Sequence, residues 1–249
     1  MKKSLFWIIL LLIVVAVVLC PDSAYAAPGG KIVSGLFKTP VGRVILGILV
    51  VILSPVIAYV MIKEKIAEKR TLKLLKQIAK TDAHFDWMPL RDRITDCYGR
   101  VHAAWRTEDM SEASEWMTSW YWQNQQLAYL NQWQRDGLIN HCRVKSISSI
   151  RPLFLKYQVN DGTADGSRVV VSITANMEDY LAERESGKIL EGKKGYENTE
   201  HIWTFILQNG KWVVGNIEEG SMSLTYAGLK SEVEGLVSES APTGERATQ

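Results

Sequence analysis

Apolar and polar positions change rhythm four times along the chain. Residues 5–19 are an unbroken apolar run, preceded by Lys2 and Lys3 and followed by Pro21, Asp22 and Ser23. Ala24-Tyr25-Ala26 then supplies a small-x-small pattern. Residues 1–26 therefore read as a signal peptide cleaved after Ala26 or, uncleaved, as a first membrane anchor. Fifteen apolar residues give about 22 Å of helix, short for a bilayer core of about 30 Å. After a short external loop (27–43) comes a second apolar segment, 44–62, with nineteen residues and no charge. That is enough to span a bilayer, and the Ser54-Pro55 pair inside it predicts a kink and not a break.

The next rhythm is helical and two-faced. Within 63–80, Ala67, Leu72, Leu74, Leu75, Ile78 and Ala79 share one half of a helical wheel. Lys63, Lys65, Lys69, Arg70, Lys73, Lys76 and Lys80 share the other half. Such a helix can lie on an anionic leaflet or dock a partner. Alternatively, it is a plain basic flank that continues the span.

Residues 81–89 read as a linker ending at Pro89, ahead of a domain at 90–228. Ile94, Cys97, Tyr98, Val101 and Trp105 repeat at three and four, which predicts a helix over 91–106. Thr107-Glu108-Asp109 or Ser111 can cap a second helix. Its stripe is Trp116, Met117, Trp120, Tyr121, Leu127 and Leu130, with a bend near 121–125, because Trp122 and Trp133 fall off it. Asp136-Gly137 ends the helical region.

Beyond that point the period becomes two. Strands are expected over 139–150, through Leu153, Leu155, Tyr157 and Val159, and through Val169, Val171, Ile173, Ala175 and Met177. The polar stretch 183–195 reads as a loop. His201, Trp203, Phe205 and Leu207 then alternate toward Asn209-Gly210, a type I′ hairpin signal, and Trp212-Val213-Val214 returns. Residues 229–249 read as a disordered tail. Helices followed by an antiparallel meander make an α+β domain. Its N-terminal helices are expected in the concavity of a curved sheet of about four strands, with a transmembrane helix in front.

Charge sharpens this picture. The 249 residues carry 29 basic and 27 acidic groups, but unevenly: residues 1–80 hold 12 basic and 3 acidic, the rest 17 and 24. An acidic globular part argues against nucleic acid as a partner. The basic stretch after residue 62 places that end of the span in the cytoplasm by the positive-inside rule. Three cysteines are too few for a disulfide framework.

Candidate chemistry is sparse. His84, His102, His141 and His201 have no zinc-site spacing, and His141 and Cys142 point to opposite faces of a strand. No metal, cofactor or catalytic residue is expected. Asp109 with His102, Tyr98 and Tyr121 could serve as an acid–base set in an apolar pocket, but a cap explains Asp109 and the stripe explains Tyr98. Six of nine tryptophans fall between Trp87 and Trp133. Trp105, Trp116 and Trp120 are expected in the core. Trp122 and Trp133, with Tyr129, are candidate partner-binding anchors.

The run Ala104-Trp105 with Asp109, the helix to Gln134, the strands, and Glu200-His201-Ile202-Trp203-Thr204-Phe205 with its hairpin into Trp212 resemble the Tim-forty-four-like family over 88–228. That family is typified by the mitochondrial inner-membrane tether of the import motor and has bacterial members behind N-terminal membrane segments. The resemblance implies a nuclear-transport-factor-two-like cone, binding to membrane and protein partners, and no chemistry. Taken with the charge pattern, which places the domain in the cytoplasm and the basic stretch on an anionic leaflet, it leads to the expectation of a bacterial inner (plasma) membrane protein with other membrane proteins or chaperones as partners. The expected function is non-enzymatic assistance to assembly, insertion or translocation of inner-membrane proteins. The alternatives are a cone that binds a lipid or other apolar ligand, and an isomerase- or dehydratase-like enzyme. A fluorescent protein fused after Gln249 should mature in the cytoplasm, while a phosphatase fused there should stay inactive. Active phosphatase without fluorescence would reverse the orientation.

Overall fold

The computed structural model describes residues 40–233. The signal segment, most of the external loop and most of the tail lie outside the described residues. The chain divides into two units, Met1–Ile62 and Lys63–Gln249.

In the first unit, helix α1 (Pro40–Ile78) begins and carries an apolar stretch long enough to cross a membrane. Ile48, Ile52, Val56 and Ile57 all expose their side chains, as a lipid-facing surface requires. The helix runs on through Pro55. Pro55 has no N–H to give the Val51 carbonyl, and Ser54 Oγ donates to that carbonyl at 3.2 Å. The side chain replaces the missing backbone donor, which keeps the helix intact where no water is available.

In the second unit the remainder of α1 is covered by the domain. Glu64, Ala67, Thr71, Leu75 and Ile78 recur at three and four and are all buried. Ala67 packs with Leu153, Phe154, Val170, Ile202 and Ala227. Leu75 and Ile78 join the main core. The apolar half of the basic helix is thus occupied by its own domain.

Residues 82–86 are not slack. Asp82 caps a 3-10 turn, Ala83–Phe85, and Phe85 is fully buried. Helix α2 (Trp87–Thr107) starts earlier than its periodicity indicated, with Asp86 accepting from Met88 N. Its buried stripe is Leu90, Ile94, Cys97, Tyr98, Val101 and Ala104. Asp109 caps a 3-10 helix, Met110–Trp116, through Ser111 N at 2.9 Å. Thr118 caps helix α3 (Ser119–Gln125), which passes through a π turn (Gln126–Leu130) into α4 (Asn131–Arg135). The expected second helix is therefore a 3-10 helix followed by three short pieces. Their changes of register turn Trp120 (70 % exposed) and Leu127 (64 %) outward, although both were expected on the buried stripe.

The sheet has five strands in the order β4-β3-β2-β1-β5: β1 (Leu138–Tyr157), β2 (Arg168–Glu183), β3 (Ile189–Gln208), β4 (Lys211–Glu219) and β5 (Glu232–Val233). All pairs are antiparallel except β1–β5. Three register shifts in β1–β2, between Val144/Ser146, Ile147/Ser149 and Pro152/Phe154, bend the strands. The result is a curved sheet holding α2 in its concavity, a nuclear-transport-factor-two-like cone. Asn209 and Gly210 both have positive φ (50° and 69°), which is the I′ geometry. Asp165 accepts from Asn209 N at 2.8 Å. The stretch expected to be a loop at 183–195 is mostly a hairpin arm of β2 and β3, pairing Leu181 with Glu191 and Asp179 with Lys193. Every residue of β3 from Ile189 to Asn198 is exposed. No face is buried there, so no alternation marks the strand.

The outer face of the sheet carries an ionic clasp. Arg151 on β1 meets Glu64 of α1 at 2.8 Å and Glu200 of β3 at 2.7 Å. Glu64 also accepts from Ser223 Oγ at 2.6 Å. Replacing Arg151 with Met leaves Glu64 buried without its cation, a loss of about 3 kcal/mol in the unfolding of the full chain in detergent. The double variant Glu64→Leu/Arg151→Met should recover most of that loss, and equal losses in both would refute the clasp.

Candidate functional site: an aromatic cavity in the cone

A cavity of about 500 Å³ lies between α2, the short helical pieces after Thr118 and the sheet. Val101, His102 and Trp105 of α2 form one wall. Tyr121, Gln125, Tyr129 and Trp133, from α3 through α4, form a second. The sheet supplies the floor, with Asn140 and Cys142 from β1, Asp179 and Tyr180 from β2, and His201 and Trp203 from β3. Glu191 and Gly192, on the hairpin arm, complete the rim. Gly192 has φ +73°, and a Cβ there would lie 2.5 Å from the Asp179 carbonyl oxygen. Only glycine lets the arm close on β2 at this point.

Three rings cluster in the wall. Trp105 lies 5.6 Å from Trp133 and 6.2 Å from Tyr129, and Tyr129 lies 5.9 Å from Trp133. The π turn separates Gln125 from Tyr129, and π turns recur where a helix must re-aim side chains at a site. Gln126 ties this turn down. Its Oε1 accepts from Met110 N at 2.8 Å and its Nε2 donates to Asn131 Oδ1 at 2.8 Å.

The floor is built around His102. Its Nδ1 lies 2.8 Å from the Tyr98 carbonyl. A carbonyl only accepts, so Nδ1 carries the proton and Nε2 is left as an acceptor. The ring stacks on Trp203 at 5.6 Å and on Tyr98 at 4.1 Å. Burial pushes the His102 pKa down to about 4, with the Tyr98 carbonyl opposing the shift and His201 adding to it. His201 is lowered by burial as well, and Asp179 is the main opposing charge. Asp179 is raised, chiefly by desolvation, against a hydrogen bond from Asn140 and the field of His201. The residue as a whole is exposed to solvent. The Trp203 indole N–H is sealed in the floor with no partner.

This set favours holding a guest over reacting with one. Burial pushes the Cys142 thiol up to about 12, so the nucleophilic thiolate is scarce at neutral pH. Tyr121 is raised by burial, and its oxygen accepts from Ile217 N at 2.8 Å. Among the described residues no group of three His, Cys, Asp or Glu side chains could hold a metal ion.

The sequence-level candidates disperse. Tyr129 and Trp133 are in the cavity wall, whereas Trp122 is half-buried against the main core. Asp109 spends its carboxylate on Ser111 N and Oγ, and Tyr98 lies beneath the floor with its hydroxyl on Met177 Sδ at 3.5 Å. Lys65, Lys69, Lys73, Lys76 and Lys80 are exposed along α1 and just after it. Lys63 is half-buried, and Arg70 donates to the Leu229 carbonyl. Asp179, Glu191 and Asn140 were missed. His201 alone had a signal, the alternation that places it on the face of Trp203. Asp179 sits at a register shift, and Glu191 lies on the arm that reads as a loop.

Residues 72–218 match the family described as Tim44-like domain. The chain therefore belongs to the Tim44-like family, and the span-length apolar helix ahead of the domain makes it a membrane-anchored member. No curated protein matches the sequence. Among solved structures, the intermembrane space region of chloroplast protein ARC6 aligns at 10% identity and a TM-score of 0.38, covering 54% of this chain and 95% of that chain.

Acidification should expose the His102 shift. The unfolded chain protonates this group near 6.5 and the folded one near 4, so its contribution to stability falls as pH drops below 6.5 and levels off below 4. His201 acts in the same sense. Asp179, being raised, acts in the opposite one. His102→Asn should lose less stability between pH 7 and pH 5 than the unsubstituted chain, as read by urea unfolding in detergent. Parallel pH dependences would refute the assignment.

Proposed function

We propose that the protein is a non-enzymatic, membrane-anchored interaction domain that assists assembly, insertion or translocation of inner-membrane proteins from the cytoplasmic side of a bacterial plasma membrane. The observation that carries this reading is the exposure of large apolar side chains on the short helical pieces that follow Thr118, one of which, Tyr129, also lines the cavity. Trp120 is 70 % exposed, Leu127 64 % and Tyr129 44 %, all within 120–133. Large apolar side chains displayed on a structured surface are typical of sites that another protein covers. Membership of the Tim44-like family and the anchor helix support the same reading. The partners are other membrane proteins or chaperones, with Trp122, Tyr129 and Trp133 as contact candidates. Lys63, Lys65, Lys69, Arg70, Lys73, Lys76 and Lys80 would keep this end of α1 against an anionic leaflet, through charge and not through the apolar face, which the domain already covers.

A second reading rests on the cavity itself. Its volume, about 500 Å³, lies in the range of small-molecule sites, and its aromatic walls suit an apolar ligand or segment. A photo-crosslinking residue at position 129 or 133, introduced in living cells, should trap one or a few discrete membrane proteins, and the same residue at exposed Lys211 should not. Equal trapping at both positions, or none at 129 and 133, would overturn the interaction reading.

A further inference from the structure

We propose that the cavity is a receptor for an organic cation, an ammonium or guanidinium group carried on an apolar stem. This deepens the second reading above and rests on it.

The charge lining the cavity is of one sign. Among the described residues that line the cavity, Asp179 and Glu191 supply two carboxylates, and no Lys or Arg is present. Two basic side chains are nearby. Lys193 faces Asp179 across the β2–β3 ladder but is bound to Glu197. Arg106 acts electrostatically on Cys142 without lining the cavity. The floor adds His102, a neutral imidazole whose Nδ1–H is committed to the Tyr98 carbonyl, leaving only an acceptor. Tyr121 oxygen is already committed as acceptor to Ile217 N.

The rest of the lining is aromatic. Trp105, Tyr129 and Trp133 cluster in one wall and Trp203 forms the floor. Ring faces attract cations and are indifferent or hostile to anions. A carboxylate-bearing guest would meet two like charges and no lining cation. A neutral apolar guest would fill the volume but leave the two carboxylates without a counter-charge from the guest. A cation on an apolar stem meets both demands. Its charge lies near Asp179 and Glu191 and its stem lies against the rings.

The probe pair is choline and 3,3-dimethyl-1-butanol, which share shape and differ in charge. Ligand-observed NMR titration of the full chain in a non-ionic detergent should give choline at least about tenfold tighter binding than its isostere. Glu191 lies exposed on the arm, so Glu191→Gln should fold normally, reduce that ratio severalfold and leave binding of the neutral probe unchanged. A further arm compares choline with capped lysine and capped arginine. Tighter binding of the amino acids assigns the cation to a polypeptide side chain, and tighter binding of choline to a free or lipid-borne amine. Equal affinity for choline and its isostere would overturn the proposal and leave an apolar cavity standing. Absence of binding by every probe would overturn both the proposal and the ligand reading. The crosslinking result at 129 and 133 would be untouched in either case.

Discussion

A residue in a strand advances the chain about twice as far as a residue in a helix, and the domain is organised by that disparity. Helix α2, 21 residues, spans about 31 Å. Strand β1, 20 residues, extends to about 66 Å if straight. One such helix cannot cover such a sheet. Three register shifts in β1–β2 bend the strands around α2, and beyond its reach a gap is left. The short pieces α3, the π turn and α4 wall that gap without filling it. The arm of β2 and β3 borders it, and the β3 side of that arm, 189–198, is exposed throughout. Cavity, aromatic rim and arm are therefore consequences of one mismatch.

The opposite face of the sheet solves a different problem. A bare outer face of Phe154, Val170 and Ile202 would be an apolar patch. The end of α1 covers it with Ala67, whose small side chain permits close approach. Close approach also buries Glu64, and a buried carboxylate requires a cation and further donors. Arg151 and Ser223 provide them. The amphipathic pattern of 63–80 is thus largely accounted for within the domain, and its exposed lysines are what remains for a membrane surface.

The cavity shows how burial selects chemistry. His102 and His201 are both held toward neutrality and Asp179 toward protonation, each first by desolvation. The same walls that disfavour isolated charge would strengthen any pairing of Asp179 with a bound cation, because a guest restores the lost solvation.

Some of this was written in local pattern. The α2 stripe, the α+β order, the inner face of β3 and the Asn209-Gly210 turn each depend on residues a few positions apart, and each followed from the sequence. So did the apolar span, whose nineteen residues without a charge need no context to be read. Tertiary structure decided the rest. The arm at 189–198 buries neither face and so carries no period. Trp120 and Leu127 left their stripe because a break at Met117-Thr118 and a π turn each reset the helical register. Asp179, Glu191, Asn140 and His102 come from three strands and a helix, and no spacing in the chain announces that they meet. They are brought together by the curvature of the sheet, a property of ladder pairing between segments tens of residues apart and not of any one of them.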